Sequence, residues 1–171
     1  MVFRCNLLQT RRLVIKPMED LDATVVQAIL TNPEVIQTYM VPDLTPDQAE
    51  RLFLRMKSLS HDESRYVRGI YLGDMLIGFL NDTEITAESV ELGWALHPKY
   101  HNQGYATEAI SAVIPDLFQS GMSSVLAGAF EENLPSIRVM EKCGMKRLPK
   151  TDIIEYRGKT YTCVYYGAKN T

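Results

Sequence analysis

A chain of 171 residues is long enough for one domain with a sizeable core, and 46% hydrophobic with 23% charged residues is ordinary for a soluble globular protein. The net charge of −3 supplies no basic face for nucleic acid, and no run of about 18 apolar residues supplies a membrane span. Cys5, Cys143 and Cys163 form no CxxC pair and the N-terminus lacks a long apolar segment, which predicts a cytoplasmic protein without a disulfide framework or a metal site.

In chain order, LVIKP (13–17) reads as a short strand that Pro17 ends. EDLDATVVQAILT (19–31) places Leu21, Val25 and Ile29 at four-residue spacing, which predicts an amphipathic helix that NPE (32–34) interrupts. A second helix is predicted from Pro46 to about Ser60, with Thr45 as N-cap, Pro46 first in the helix and Gln48 closing a capping box. RYVRGIYL (65–72) and MLIGFLN (75–81) read as strands joined by Gly73-Asp74, a pair suited to a type II′ hairpin. SVELGWALHP (89–98) is a further strand that stops at Pro98. Over residues 104–119, Ile110, Val113, Ile114, Leu117 and Phe118 form the apolar stripe of a third helix, expected to bend at Pro115 and stop at Gly121. SVLAGAF (124–130) is a buried-type strand, and ENLPSIRVMEKCG (132–144) a short helix with Pro135 near its first turn and Gly144 past its end. Residues 147–156 and 159–168 are two last strands around Arg157-Gly158. The order β-α-α-β-β-β-α-β-α-β-β predicts one mixed α/β domain over residues 1–171.

The stretch HNQGYATEAI (101–110) follows a strand and opens a helix. The first amides of a helix have no internal partner and carry partial positive charge, so they suit an anion. Gly104 and Ala106 would let a bulky diphosphate approach that backbone. A lone G-x-A before a helix is more often a plain helix start, and neither G-x-G-x-x-G after a first strand nor G-K-[ST] at this helix start occurs. His97 and His101 have i, i+4 spacing, but Pro98 lies between them and no further zinc ligands are found.

The surroundings narrow the reading. His101-Asn102-Gln103-Gly104-Tyr105-Ala106 matches the pattern Q/R-x-x-G-x-G/A except at its first position. Thr107-Glu108-Ala109, Glu91-Leu92-Gly93-Trp94, Pro98-Lys99-Tyr100, Arg12-Leu13-Val14-Ile15-Lys16-Pro17 and Asn32-Pro33-Glu34-Val35 accompany it, as does the run from Asn133 and Ser136 to Gly144-Met145. In order and spacing these resemble the GCN5-related N-acetyltransferases, the GNAT superfamily, and within it the branch of the ribosomal-protein alanine acetyltransferases. The resemblance spans roughly residues 10–165.

The resemblance implies an α/β GNAT fold: a mixed, mostly antiparallel sheet of about seven strands, about four helices, and a splay between the fourth and fifth strands. It implies acetyl-CoA as co-substrate, direct transfer in a ternary complex, and a primary amine as acceptor, either a protein N-terminus or a small molecule. Homodimers are common in that family. The diphosphate cradle maps to the amides of Asn102, Gln103, Gly104, Tyr105, Ala106 and Thr107. The pantetheine arm maps to the backbone of Trp94, Ala95 and Leu96, as a strand added by the ligand. Asn133 matches a coenzyme-contacting position and could equally cap a helix. Glu91 is the candidate general base, directly or through water, against the alternative of a charge on an exposed strand face. Ser136 is the candidate general acid, against a first-turn hydroxyl without chemistry; the tyrosine that other members place seven residues after the asparagine is Met140 here. Tyr39, Tyr66 and Arg68 are candidates for the acceptor side. The rival reading is a non-catalytic acetyl-CoA-binding sensor or complex subunit.

Overall fold

Two tight turns set the hairpins of the sheet. Gly73 has φ 62° while Asp74 stays out of the left-handed region, as a type II′ turn requires. At the second hairpin both Arg157 (φ 50°) and Gly158 (φ 74°) are left-handed, the pattern of a type I′ turn. In the computed structural model, which describes residues 1–4 and 7–171, eight strands form one sheet. Cys5 lies outside the described residues. The strands are β1 (Leu8–Gln9), β2 (Leu13–Lys16), β3 (Arg68–Leu72), β4 (Met75–Ile85), β5 (Ser89–Leu96), β6 (Ser124–Phe130), β7 (Lys146–Tyr156) and β8 (Lys159–Lys169). Their order in space is β1-β2-β3-β4-β5-β6-β8-β7. Every neighbouring pair is antiparallel except β5 and β6.

Four helices cover the sheet: α1 (Ala23–Leu30), α2 (Pro46–Ser60), α3 (Tyr105–Gln119) and α4 (Leu134–Lys142). On the back face, Ala109, Ile110, Val113 and Leu117 of α3 and Met140 of α4 pack on Val90, Leu92 and Leu96 of β5. On the front face, Val26, Ile29 and Leu30 of α1 and Phe53 and Met56 of α2 pack on Tyr71, Phe79 and Ala95. No helix among the described residues is long and apolar enough to cross a membrane.

The predicted ends hold where local chemistry dictates them. Thr45 and Gln48 exchange both bonds of the capping box at the start of α2. Gly121 and Gly144, at φ 101° and 81°, each follow a helix whose last carbonyls are closed by Schellman bonds. The helix α3 runs unbroken through Pro115, which lies on its exposed side.

Three expectations need correction. Leu21 is 95% exposed and heads no apolar stripe. Asp22 is drawn inward instead, accepting from Glu19 N (2.7 Å) and Tyr71 Oη (2.5 Å), and a 3-10 turn at Asp20–Asp22 precedes α1. The strand expected from residue 65 begins at Arg68, because Asp82 accepts from Tyr66 N (2.6 Å) and pairs with Arg65, holding that stretch off the ladder. The next strand runs to Ile85 rather than 81, since β5 continues beside it past a bulge at Thr83. The two-residue β1, antiparallel to β2, adds to the predicted set.

Candidate active site

The site starts where the parallel pair comes apart. β5 and β6 pair from Ser89↔Ser124 to Leu92↔Ala127 and no further. β5 continues along β4 to Leu96, and β6 continues along β8 to Phe130. This is the splay expected between the fourth and fifth of the predicted strands. Crevices of this kind, outside the carboxyl ends of parallel strands, are where open sheets receive ligands.

Strand alternation tells which backbone groups the splay frees. His97 N donates to Ile77 O (2.8 Å), so in β5 residues 97, 95 and 93 turn their amides and carbonyls to β4. Trp94 and Leu96 therefore turn theirs into the gap, while Ala95 is paired with Phe79 and acts as the spacer between them. In β6, Ser124 N donates to Glu88 O (3.1 Å), so Gly128 turns its backbone to the gap from the other side. Gly78, opposite Leu96, lets β4 and β5 stay this close. A Cβ there would stand 2.4 Å from Ala95 O.

Beyond β5 the chain makes a 3-10 turn at Pro98–Tyr100 and then the cradle. Asn102 (φ 58°) and Gly104 (φ 80°) are both left-handed, and Gly104 is the N-cap of α3. The amides of residues 102–107 donate to no acceptor among the described residues. Successive free amides in a partly left-handed turn form an anion-binding concavity, here joined to the positive end of a 15-residue helix. Asn102, Gln103, Gly104, Tyr105, Ala106 and Thr107, the residues the sequence nominates, all lie in this turn and helix start.

The odd first letter of the motif has a local task. His101 Nε2 lies 2.9 Å from Leu96 O, as donor in the Nε2–H tautomer, and ties the cradle's first residue to the open strand. His97 Nδ1 instead accepts from Lys99 N (3.2 Å), so the two imidazoles serve separate backbone groups.

The front face beside the splay carries the polar groups. Glu91 and Gly93 share that face with Ala95 by alternation along β5. Glu91 is half-buried, and its Oε1 accepts from Thr83 Oγ1 (3.1 Å). A Cβ on Gly93 would stand 3.4 Å from Thr83 Cγ2 and 3.8 Å from Asn81 Oδ1, so those two side chains border it. Tyr39 reaches this place from the loop after α1: its hydroxyl donates to Asn81 Oδ1 (2.9 Å), and burial pushes its pKa up. On the other lip the Tyr165 ring covers Gly128, and the Tyr165 hydroxyl donates to Asp152 Oδ2 (2.7 Å). Burial raises the Cys163 thiol, helped by the nearby charges of Glu91 and Asp152, so these carboxylates and the thiol share one region.

An arch closes over this face. Tyr156 Oη donates to Ile36 O (2.5 Å), and Arg157 donates to Val41 O (2.8 Å) and to Asp43 Oδ1 (2.6 Å). The β7–β8 turn is thereby clasped to the α1–α2 loop. A hollow lined by Met40, Val41, Pro42, Asp43, Tyr156 and Arg157 lies at the clasp, bordered by none of the predicted site residues.

On the back side of the gap, α4 begins just past the end of β6. Asn133 is its N-cap, and its Oδ1 accepts from Ser136 N (3.4 Å). Ser136 is half-buried, and its hydroxyl bonds to nothing among the described residues. Both helix starts, α3 and α4, face the carboxyl ends of the splayed strands, which brings Asn133 and Ser136 to the same end of the gap as the cradle.

Two candidates do not join the site. Tyr66 is fully buried with its hydroxyl on Asp116 Oδ2 (2.6 Å), and Arg68 lies over its ring at 4.6 Å, donating to backbone carbonyls of Val67 and Arg4. They hold the back core together. Arg12 was missed as a site residue: its Nη1 donates to Gln103 O (3.1 Å) inside the cradle. Its only signal in the sequence is its place in the opening stretch of the resemblance. Asp152 and Tyr165 were missed because only strand register brings them to Glu91.

Comparison with known proteins bears on the family and the fold. The family described as Acetyltransferase (GNAT) domain matches residues 12–146. The chain is 29% identical over 140 residues to the uncharacterized N-acetyltransferase YnaD of Bacillus subtilis (strain 168), over 81% of each chain. A solved acetyl transferase from Salmonella typhimurium, described as modifying the N-terminal serine of 50S ribosomal subunit protein L7/L12, superposes with a TM-score of 0.83 at 10% identity, over 97% of this chain and 100% of that one. Microcin C7 self immunity acetyltransferase MccE, solved in complex with acetyl-CoA and AMP, superposes with a TM-score of 0.81 at 14% identity, over 94% of this chain and 93% of that one. At such identities the two structures bear on the fold alone.

Proposed function

The chain belongs to the GNAT acetyltransferase family, and from that membership and the opened sheet we propose that it transfers an acetyl group from acetyl-CoA directly to a primary amine in a ternary complex. The observation that carries the reading is the pairing of two features at one end of β5: the amides of residues 102–107, which donate to nothing among the described residues, and the edge that β6 leaves at Trp94 and the Leu96 amide, the Leu96 carbonyl being held by His101. A diphosphate fits the first, and a peptide-like arm fits the second. Acetyl-CoA supplies the activated acetyl group as a thioester.

The chain's own residues divide the work. The cradle fixes the diphosphate, with the α3 dipole offsetting its charge. Trp94 and the Leu96 amide present backbone groups to the pantetheine, and Asn133 frames the far side of the gap while capping α4. Glu91, on the front face two residues from Gly93, takes a proton from the acceptor ammonium, directly or through water. The Ser136 hydroxyl, which bonds to nothing among the described residues, donates a proton to the departing thiolate. The acceptor enters from the front face, because α3 and α4 fill the back with packed core. Glu91 and Asp152 favour a cation there, and Tyr39 and Tyr165 give it aromatic walls. The B. subtilis relative is named an N-acetyltransferase, which supports nitrogen as the accepting atom.

The acceptor class is tested by following thiol release from acetyl-CoA against a panel of polyamines, amino acids, aminoglycosides and N-terminal peptides. The expected result is release that depends on one class of primary amine and vanishes with its N-acetylated form. Thermal stabilisation by acetyl-CoA without turnover on any acceptor would favour a binding protein, and absence of both would end the coenzyme reading.

A further inference from the structure

Glu108 stands in the first turn of α3, four residues past Gly104. An acidic side chain there has two places to go. Turned toward the helix start, it would compete for the free amides and repel a second anion. It turns away instead. Its Oε1 accepts from Thr10 Oγ1 (2.6 Å) and Arg12 N (2.7 Å), and its Oε2 accepts from Arg12 Nε (2.7 Å).

The guanidinium that holds it reaches on into the cradle. Arg12 Nη1 donates to Gln103 O (3.1 Å), and the group lies over the Tyr105 ring at 4.3 Å. Arg12 Nη2 sits 3.4 Å from where a Cβ on Gly104 would stand, with no acceptor of its own among the described residues. One side chain thus contacts Gln103, Tyr105 and Glu108 and lies on the side of Gly104 where a Cβ would project. Its base is fixed in turn, since Thr10 N donates to Leu13 O (2.9 Å) and Leu13 N to Thr10 Oγ1 (2.9 Å) at the entry to β2.

We propose that Arg12 and Glu108 are positioning residues for the diphosphate: together they set the conformation of residues 103–105 and keep the helix start clear of the protein's own carboxylate. This rests on the coenzyme reading above. Electrostatics agree with the geometry. Burial alone would raise the Glu108 carboxyl, but the bonds from Thr10 and Arg12 outweigh it and hold its pKa below the usual glutamate range. A depressed carboxyl gives its stability above the unfolded value and loses it as pH falls through the folded one, so the clamp is fully charged at neutral pH.

The test is calorimetric titration of the protein with acetyl-CoA and with S-acetylpantetheine, which has the arm and thioester but no diphosphate. The unmodified protein should bind acetyl-CoA at least about tenfold more tightly. Arg12→Ala should weaken acetyl-CoA by about tenfold or more and leave S-acetylpantetheine within about twofold. Arg12→Lys should restore little, because an ammonium cannot bond Glu108 and Gln103 in one plane. Glu108→Gln should act in the same direction as Arg12→Ala. Equal weakening of both ligands, or a rescue by lysine, would reduce the clamp to a structural tie and overturn the proposal. Failure of the unmodified protein to prefer acetyl-CoA would instead overturn the coenzyme reading. The melting temperature of each free variant separates loss of fold from loss of the cradle.

Discussion

Replacing Glu91 with glutamine should lower kcat about a hundredfold or more at neutral pH while changing acetyl-CoA affinity less than about twofold; general bases contribute roughly 10²–10⁴ to rate. The substitution keeps the volume and the acceptor oxygen that Thr83 bonds at 3.1 Å, and removes the basic charge. Glu91 faces the front, away from the cradle and from the gap-facing backbone of Trp94 and Leu96, so coenzyme binding should not notice the change. The kinetic signature is a pH–rate profile whose acidic limb disappears in the variant. A variant with the same profile and rate as the parent would remove Glu91 from the role of base.

Gly104→Val should weaken acetyl-CoA binding by about a hundredfold, at 1.4 kcal/mol for each factor of ten. At φ 80° a β-branched residue is strained, and left-handed backbone alone costs an L-residue about 1–2 kcal/mol. The new Cβ would also press within 3.4 Å of Arg12 Nη2, and its methyl groups would cover the concavity that the diphosphate needs. Calorimetry measures the loss, and far-ultraviolet circular dichroism checks that α3 persists. Normal affinity in this variant would refute the cradle.

What was legible in the sequence was what local chemistry decides. The hairpin turns, the capping box at Thr45, the glycines past α3 and α4 and the loop around Gly104 are each set by a few adjacent residues. Leu21 misled because a 3-10 turn and the pull of Tyr71 on Asp22 rotate it outward, and helical spacing carries no sign of either. Tyr66 and Arg68 read as acceptor-side candidates because nothing near them in the chain announces Asp116, which bonds the Tyr66 hydroxyl, or the Arg4 carbonyl that Arg68 reaches. The clamp escaped for the same reason: Thr10 and Glu108 meet across 98 residues of chain. Asp152 and Tyr165 join the face of Glu91 only through the pairing of β6 with β8 and of β8 with β7. His101 shows the reverse. It breaks the motif as written, yet its ring bond to Leu96 O links the cradle to the open strand.

The central claim is that acetyl-CoA lies along the splayed edge with its diphosphate on the start of α3. Amide correlation spectra of the ¹⁵N-labelled protein, titrated with acetyl-CoA, test it most directly. The predicted result is that the resonances of residues 102–107, Trp94 and Leu96 move first and furthest. Shifts centred elsewhere, such as around Met40 and Arg157, with residues 102–107 unmoved, would contradict it.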